Sequence, residues 1–162
     1  EYYLDYFKNC PWKAGKFLYK LINEDKLEEK IGKNKIFILV DNDKVISFAT
    51  YSQRDCINDD NMYPWIGFVY TDEAYRGNRY SQKIIDYIIE KARNDGNEKV
   101  YIATDHIGLY EKYGFEYMEN RVDIYNEESR IYFYDLLKKY YLPGVGIEHF
   151  YKNLFFILNW YL

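Results

Sequence analysis

The sequence predicts a mixed α/β (α+β) fold, a central sheet with helices packed against it. Two β-rich runs flank a polar turn near residue 42, a strongly amphipathic helix lies between two apolar strands, and a second β-rich pair closes the pattern. At 162 residues the chain is long enough to bury one core and reads as one domain.

From Trp12 to Ile22, apolar residues recur at Trp12, Phe17, Leu18, Leu21 and Ile22, the stripe of a helix. A shorter helix follows through Leu27 and Ile31, with Gly32 as its C-cap. Lys35 to Val40 is a strand, and Asp41-Asn42-Asp43-Lys44 turns it back into Val45 to Ser52 as a hairpin. Gln53 to Tyr63 is polar and irregular, expected as a mobile loop near a binding site. Pro64 opens the strand Trp65 to Tyr70.

The next helix has the clearest pattern. Ser81, Ile84, Ile85, Ile88, Ile89 and Ala92 share one face, with Lys83, Asp86, Glu90 and Arg93 opposite. Asp95-Gly96-Asn97 ends it, and Lys99 to Thr104 is the following strand. Ile107 to Tyr113 reads as a short helix closed by Gly114. Phe115 to Ile124 and Arg130 to Leu136 are two strands joined by the turn Tyr125 to Ser129. The domain therefore runs over 1–136. Residues 137–162 form a C-terminal extension, read as an extra helix on the sheet, a dimerisation arm or part of a further element.

A formal net charge of −4 argues against a nucleic-acid surface, which needs clustered Lys and Arg. Cys10 and Cys56 stand in no metal or redox spacing and His106 and His149 are the only histidines, so no metal is expected. Two unpatterned thiols without a visible signal peptide suggest a reducing, cytoplasmic setting. The apolar run from Leu154 to Leu158 is too short to span a bilayer, so no membrane role is expected. The 21 tyrosines reflect compositional bias rather than a recognition surface.

The chemistry lies between Trp65 and Phe115. The turn Tyr75-Arg76-Gly77-Asn78-Arg79-Tyr80-Ser81 joins a buried strand to a helix. It gathers free backbone N–H groups, the positive end of a helix dipole and two arginines, as a pyrophosphate requires. Some thirty residues on comes Leu109-Tyr110-Glu111-Lys112-Tyr113-Gly114-Phe115. Together these segments resemble the GNAT superfamily of N-acetyltransferases, which move an acetyl group from acetyl-coenzyme A to an amine.

The resemblance covers roughly Phe17 to Leu136. It implies a GNAT-like, mostly antiparallel sheet with a splayed strand pair and helices on both faces. Acetyl-CoA is the implied co-substrate, with direct attack by a primary amine of a small molecule or peptide in a ternary complex. The family's Q/R-x-x-G-x-G/A motif aligns on Arg76, Gly77, Asn78, Arg79, Tyr80 and Ser81, with Arg79 and Ser81 standing where small residues are usual. Phe68, Val69 and Tyr70 take the role of the bulged strand that pairs with pantetheine and polarises the thioester. Gly67 suits a bulge or a close backbone approach, or else sits in a plain core strand.

Tyr110 takes the role of the acid that protonates the leaving thiolate, its phenol pKa being near that of a thiol. Asp105 and His106 are candidates for the base, with Asp105 also read as a helix N-cap. Asp55 and Glu73 are further acids near the same mouth. The alternative is a non-catalytic acyl-CoA-binding regulatory module, and the apolar tail offers a surface for a partner or a homodimer.

Overall fold

The computed structural model describes residues 2–138 and the backbone of 155–158. Among the described residues seven strands form one sheet: β1 (Asn34–Asp41), β2 (Lys44–Ser52), β3 (Trp65–Thr71), β4 (Lys99–Thr104), β5 (Glu116–Val122), β6 (Glu128–Asp135) and β7 (Phe155–Leu158). Their order is β5-β6-β4-β3-β2-β1-β7, and every neighbouring pair is antiparallel except β3–β4. The strands expected from sequence are all present, with ends moved by a few residues. At the hairpin between β1 and β2, Asn42 and Asp43 take positive φ of 46° and 65°, the twist that a tight two-residue turn demands.

Helices cover both faces. On one lies α4 (Tyr80–Asn94), whose Ile84, Ile85, Ile88, Ile89 and Ala92 are buried against Phe37, Leu39, Ile66, Val100 and Ile102. The predicted stripe is thus the packed face. On the other side, α1 (Tyr2–Asn9), α2 (Lys13–Asn23) and α3 (Leu27–Ile31) cover β1 and β2. Phe7 and Leu18 there meet Ile36, Ile38 and Phe48. The sequence shows no apolar stripe at Tyr2–Asn9 because Phe7 is the one buried residue of α1. Gly32 does close α3, at φ 70° with its N–H donating to the Glu28 carbonyl.

Two expectations need correction. The segment Gln53 to Tyr63 is not a loose excursion, because Ile57 and Met62 are buried with Trp65, Tyr101 and Ile131 and cover the sheet beside β3 and β4. Arg121 of β5 also holds Asp59 of this segment at 2.6 Å. Further on, Ile107 to Tyr113 is not a helix throughout. Gly108 takes φ 79°, which interrupts helical winding, and only a 3-10 turn at Tyr110–Tyr113 remains, closed by Gly114 at φ 89°. Of the C-terminal extension, the described part places β7 along β1, from Leu158 opposite Ile36 to Phe155 opposite Leu39. The rest of the extension, and His149 with it, lies outside the described residues.

Candidate active site

Among the described residues, β3 and β4 are the one parallel pair of the sheet and also the least paired. β3 and β4 meet at Trp65 and Tyr101, where the Tyr101 N–H donates to the Pro64 carbonyl at 2.9 Å, and no ladder residue joins them beyond that point. Two parallel strands in register would normally continue their bonds. Here they splay apart, leaving an open wedge along the inner edge of β3.

A bulge on β3 lies beside this wedge. Phe48 of β2 faces Tyr70 and Thr50 faces Gly67, so Phe68 and Val69 together span the place of Ala49. Phe68 carries the strain, at φ 48°, an unfavourable region for a bulky residue. Ser47 fixes the far side of the bulge, its hydroxyl donating to the Tyr70 carbonyl at 2.6 Å. The bulged residue is therefore Phe68 rather than Gly67. Gly67 instead serves a close approach: a Cβ there would clash with the Asp55 carboxylate and crowd the Thr50 hydroxyl.

Beyond β3 the chain forms a 3-10 turn at Glu73–Tyr75, capped by Asp72, which accepts from the Ala74 N–H at 3.0 Å and from the Tyr6 hydroxyl at 2.9 Å. Gly77 follows at φ 83°. Arg79, the N-cap of α4, is left-handed at φ 58° and ψ 30° and offers no side-chain acceptor to the helix. The first-turn N–H groups of α4 lack an intrahelical partner, and no cap takes their place. The backbone thus keeps the shape that glycine would adopt at position 79, with an arginine in it.

The side chains around this turn are held locally. Arg76 donates through Nε to the Thr71 carbonyl at 3.2 Å, and its guanidinium lies 5.8 Å from the centre of the Tyr70 ring. Asn78 donates to the carbonyls of Tyr75 and Arg76 at 3.2 and 3.3 Å. Tyr80 packs edge-on to Tyr75, and the Ser81 hydroxyl lies 2.9 Å from that of Tyr113.

Tyr110 lies at the other side of the wedge, 6% exposed among Tyr113, Phe115 and Tyr132. Burial pushes its phenol up to about 12, with Tyr113 adding to the rise and the Thr104 side chain opposing it. It is therefore a protonated hydroxyl at neutral pH. The His106 ring centre is 6.5 Å away, and the His106 N–H donates to Thr104 Oγ1 at 3.1 Å. His106 and Asp105 are both exposed, and Asp105 caps no helix because none starts at Ile107. Tyr110 and His106 thus lie together, while Asp105 faces solvent.

Two side chains near the wedge escape a reading of motifs: Thr50, fully buried with its hydroxyl unpartnered, and Thr104, which faces Tyr110. Asp55, expected from sequence as an acid near this mouth, presses on Gly67. Thr50 and Ser52, two residues apart among apolar neighbours in β2, are the sequence signal that marks this polar patch. Burial pushes the Asp55 carboxyl up to about 6, Asp123 adds to the rise, and the Cys56 N–H, donating to Oδ1 at 2.6 Å, opposes it. Asp55 also lines a cleft of about 270 Å³ between α3, the 53–63 segment and the β5–β6 turn. Among the described residues no group of three or more His, Cys, Asp or Glu could hold a metal ion, and no helix is long and apolar enough to cross a membrane.

The fold recurs in solved acetyltransferases. An aminoglycoside 6'-acetyltransferase type Ii superposes with a TM-score of 0.63 at 14% identity, over 86% of this chain and 90% of that one. The aminoglycoside 6'-N-acetyltransferase from Enterococcus faecium gives 0.61 at 12% identity, over 86% and 91%. A GNAT family acetyltransferase from Elizabethkingia anophelis with acetyl-CoA bound gives 0.57 at 14%, over 78% and 84%. No curated protein sequence matches the chain. The sequence itself matches the Acetyltransferase (GNAT) family over residues 3–115, and the chain belongs to that family of enzymes.

Proposed function

We propose that this protein transfers an acetyl group from acetyl-CoA to a primary amine of a small molecule or peptide, by direct attack within a ternary complex. The observation that carries this reading is the bulge at Phe68–Val69 on the open edge of β3, with the uncapped start of α4 at the far end of the same wedge. An extended ligand with an anionic end fits such a wedge: strand-like pairing along Phe68 to Tyr70, and N–H groups with a helix dipole at Arg79 to Ser81. Arg76 and Arg79 add charge there, and Gly77 and Asn78 shape the turn. Acetyl-CoA supplies the thioester; the chain's own residues bind, orient and move protons.

An N–H in the bulge polarises the carbonyl, an interaction that strengthens as negative charge develops on oxygen. Tyr110, kept protonated by burial, gives its proton to the departing sulfur. His106, exposed with its ring centre 6.5 Å from that of Tyr110, is assigned the return of that proton from solvent through a bridging water. Neither thiol is suited to carry the acetyl group: burial pushes both up, and Cys56 is raised further by Asp55. Both are free, which fits a reducing cytoplasm.

Calorimetry with acetyl-CoA tests the reading, followed by coupled thiol-release assays with a panel of amines. The reading expects micromolar binding that an Arg76→Ala, Arg79→Ala double variant weakens at least tenfold, and turnover with at least one amine. Binding without turnover on any amine supports the regulatory module instead. No binding at millimolar acetyl-CoA overturns both.

A further inference from the structure

We propose that Asp55 takes the proton from the acceptor amine, from a seat over the bare face of Gly67 at the junction of the cleft and the β3 bulge. The inference rests on the acetyl-transfer reading and adds to it the base that the sequence motifs leave unassigned.

Geometry is the first support. Gly67 lies one residue before the bulge, and its missing side chain makes room for the Asp55 carboxylate. Position 67 thus receives from a neighbouring segment the acid it cannot carry itself. The carboxylate is anchored through Oδ1, which accepts from the Cys56 N–H at 2.6 Å, leaving Oδ2 toward Gly67.

The second support is independent. Thr50 Oγ1 converges on the same bare face, 3.0 Å from where a Gly67 Cβ would stand, in a fully buried residue with no hydrogen-bond partner. A buried hydroxyl left without a partner is destabilising, and an amine N–H donating to it would remove that cost. The third support is access. The cleft of about 270 Å³ reaches Asp55 from solvent on the face opposite α4, while Tyr110 belongs to the α4-side core. The amine thereby reaches the carbonyl from the cleft side and the departing sulfur meets Tyr110 on the α4 side, so base and acid serve separate positions of one tetrahedral intermediate.

The protons balance. The acceptor ammonium gives one proton to the Asp55 carboxylate, and the freed lone pair forms the N–C bond. As the C–S bond breaks, its electron pair goes to sulfur, which takes the Tyr110 proton. The nitrogen sheds its second proton to solvent, Tyr110 regains one from solvent, and Asp55 releases its own. One proton leaves per turnover.

The charged and titratable groups facing Asp55 are Cys56 and Arg54 on its own segment, Asp123 from the β5–β6 turn, and Lys26, Glu29 and Lys30 from α3 and its approach. Burial outweighs them and sets the carboxyl to about 6, so the base form dominates above that pH.

The experiment compares wild type with Asp55→Asn for acetyl-CoA affinity by calorimetry and for kcat and kcat/KM from pH 5 to 9 with the best amine of the panel. Asp55→Asn is expected to lose roughly 100-fold in kcat with acetyl-CoA affinity within twofold of wild type, and to lose the acidic limb. Activity within threefold of wild type with the limb intact overturns the assignment of Asp55 while leaving acetyl transfer standing. If the variant does not fold, the wild-type profile decides: a limb near pH 6 in kcat/KM supports the proposal, and a flat profile down to pH 5 overturns it. A wild type that acetylates no amine removes the reading on which the assignment rests.

Discussion

The hydroxyl of Ser81, in the first turn of α4, lies 2.9 Å from the hydroxyl of Tyr113, in the 3-10 turn after β4. The two segments that carry the family resemblance, separated by 32 residues, are joined by this contact. It clamps the start of α4 to the turn that presents Tyr110. Tyr113→Phe removes one partly buried hydrogen bond, worth about 1 kcal/mol, and is expected to lower Tm by roughly 2–4 °C. Differential scanning calorimetry checks this; an unchanged Tm would show that the contact contributes no stability.

Tyr110→Phe preserves the packing against Tyr113, Phe115 and Tyr132 and deletes only the proton donor. Turnover should fall about 100-fold with acetyl-CoA affinity nearly unchanged. Because burial holds the phenol near 12, the wild type should show no alkaline limb from this group below about pH 10. A variant with wild-type turnover would remove Tyr110 from the mechanism.

Arg79 separates backbone shape from side-chain charge. Its left-handed conformation costs an L-residue about 1 kcal/mol that glycine does not incur. Arg79→Gly should therefore stabilise the fold by about 0.5–1 kcal/mol in urea unfolding while weakening acetyl-CoA binding no more than about fivefold. Arg79→Val, β-branched in the same conformation, should destabilise by about 1–2 kcal/mol. Equal stability of all three proteins would refute the left-handed geometry.

Asp86 gives a pH-dependent test. Burial, with Glu90 one turn on, pushes its carboxyl up to about 6, above the ordinary value of about 4. The folded state binds this proton more tightly than the unfolded chain does. The charged form thus costs stability in full above about pH 6, and the cost fades as pH falls toward 4. Asp86→Asn should stabilise the protein by about 1–2 kcal/mol at pH 8 and by nothing measurable at pH 4. Equal gains at both pH values would show that the effect is not titration.

Much of the fold is legible because it is written locally. The Ile84-Ile85-Ile88-Ile89 stripe, the Asn42-Asp43 turn and the Gly32 cap each state their structure within a few residues. The site is less legible because it depends on register. Nothing local says that Thr50 faces Gly67 while Phe48 faces Tyr70, so the bulge falls on Phe68 although Gly67 is the residue that invites it. The approach of Asp55 to Gly67 is likewise a tertiary fact, visible only once the 53–63 segment is packed by Ile57 and Met62. Ile107 to Tyr113 has the composition of one helix, but a single glycine, Gly108, changes hand within it.

The pairing of β7 with β1 bears on solution behaviour. Ile36 to Leu39 is an unbroken apolar run, and β7 satisfies its outward N–H and C=O groups. The opposite border, β5, is mostly exposed and carries Glu116, Glu119 and Arg121, charges that discourage docking of a foreign strand. One border is thus guarded by chemistry and the other by a piece of the same polypeptide. Shortening the chain before residue 155 would leave a sticky seam open, and such a fragment should self-associate in light scattering where the longer chain does not.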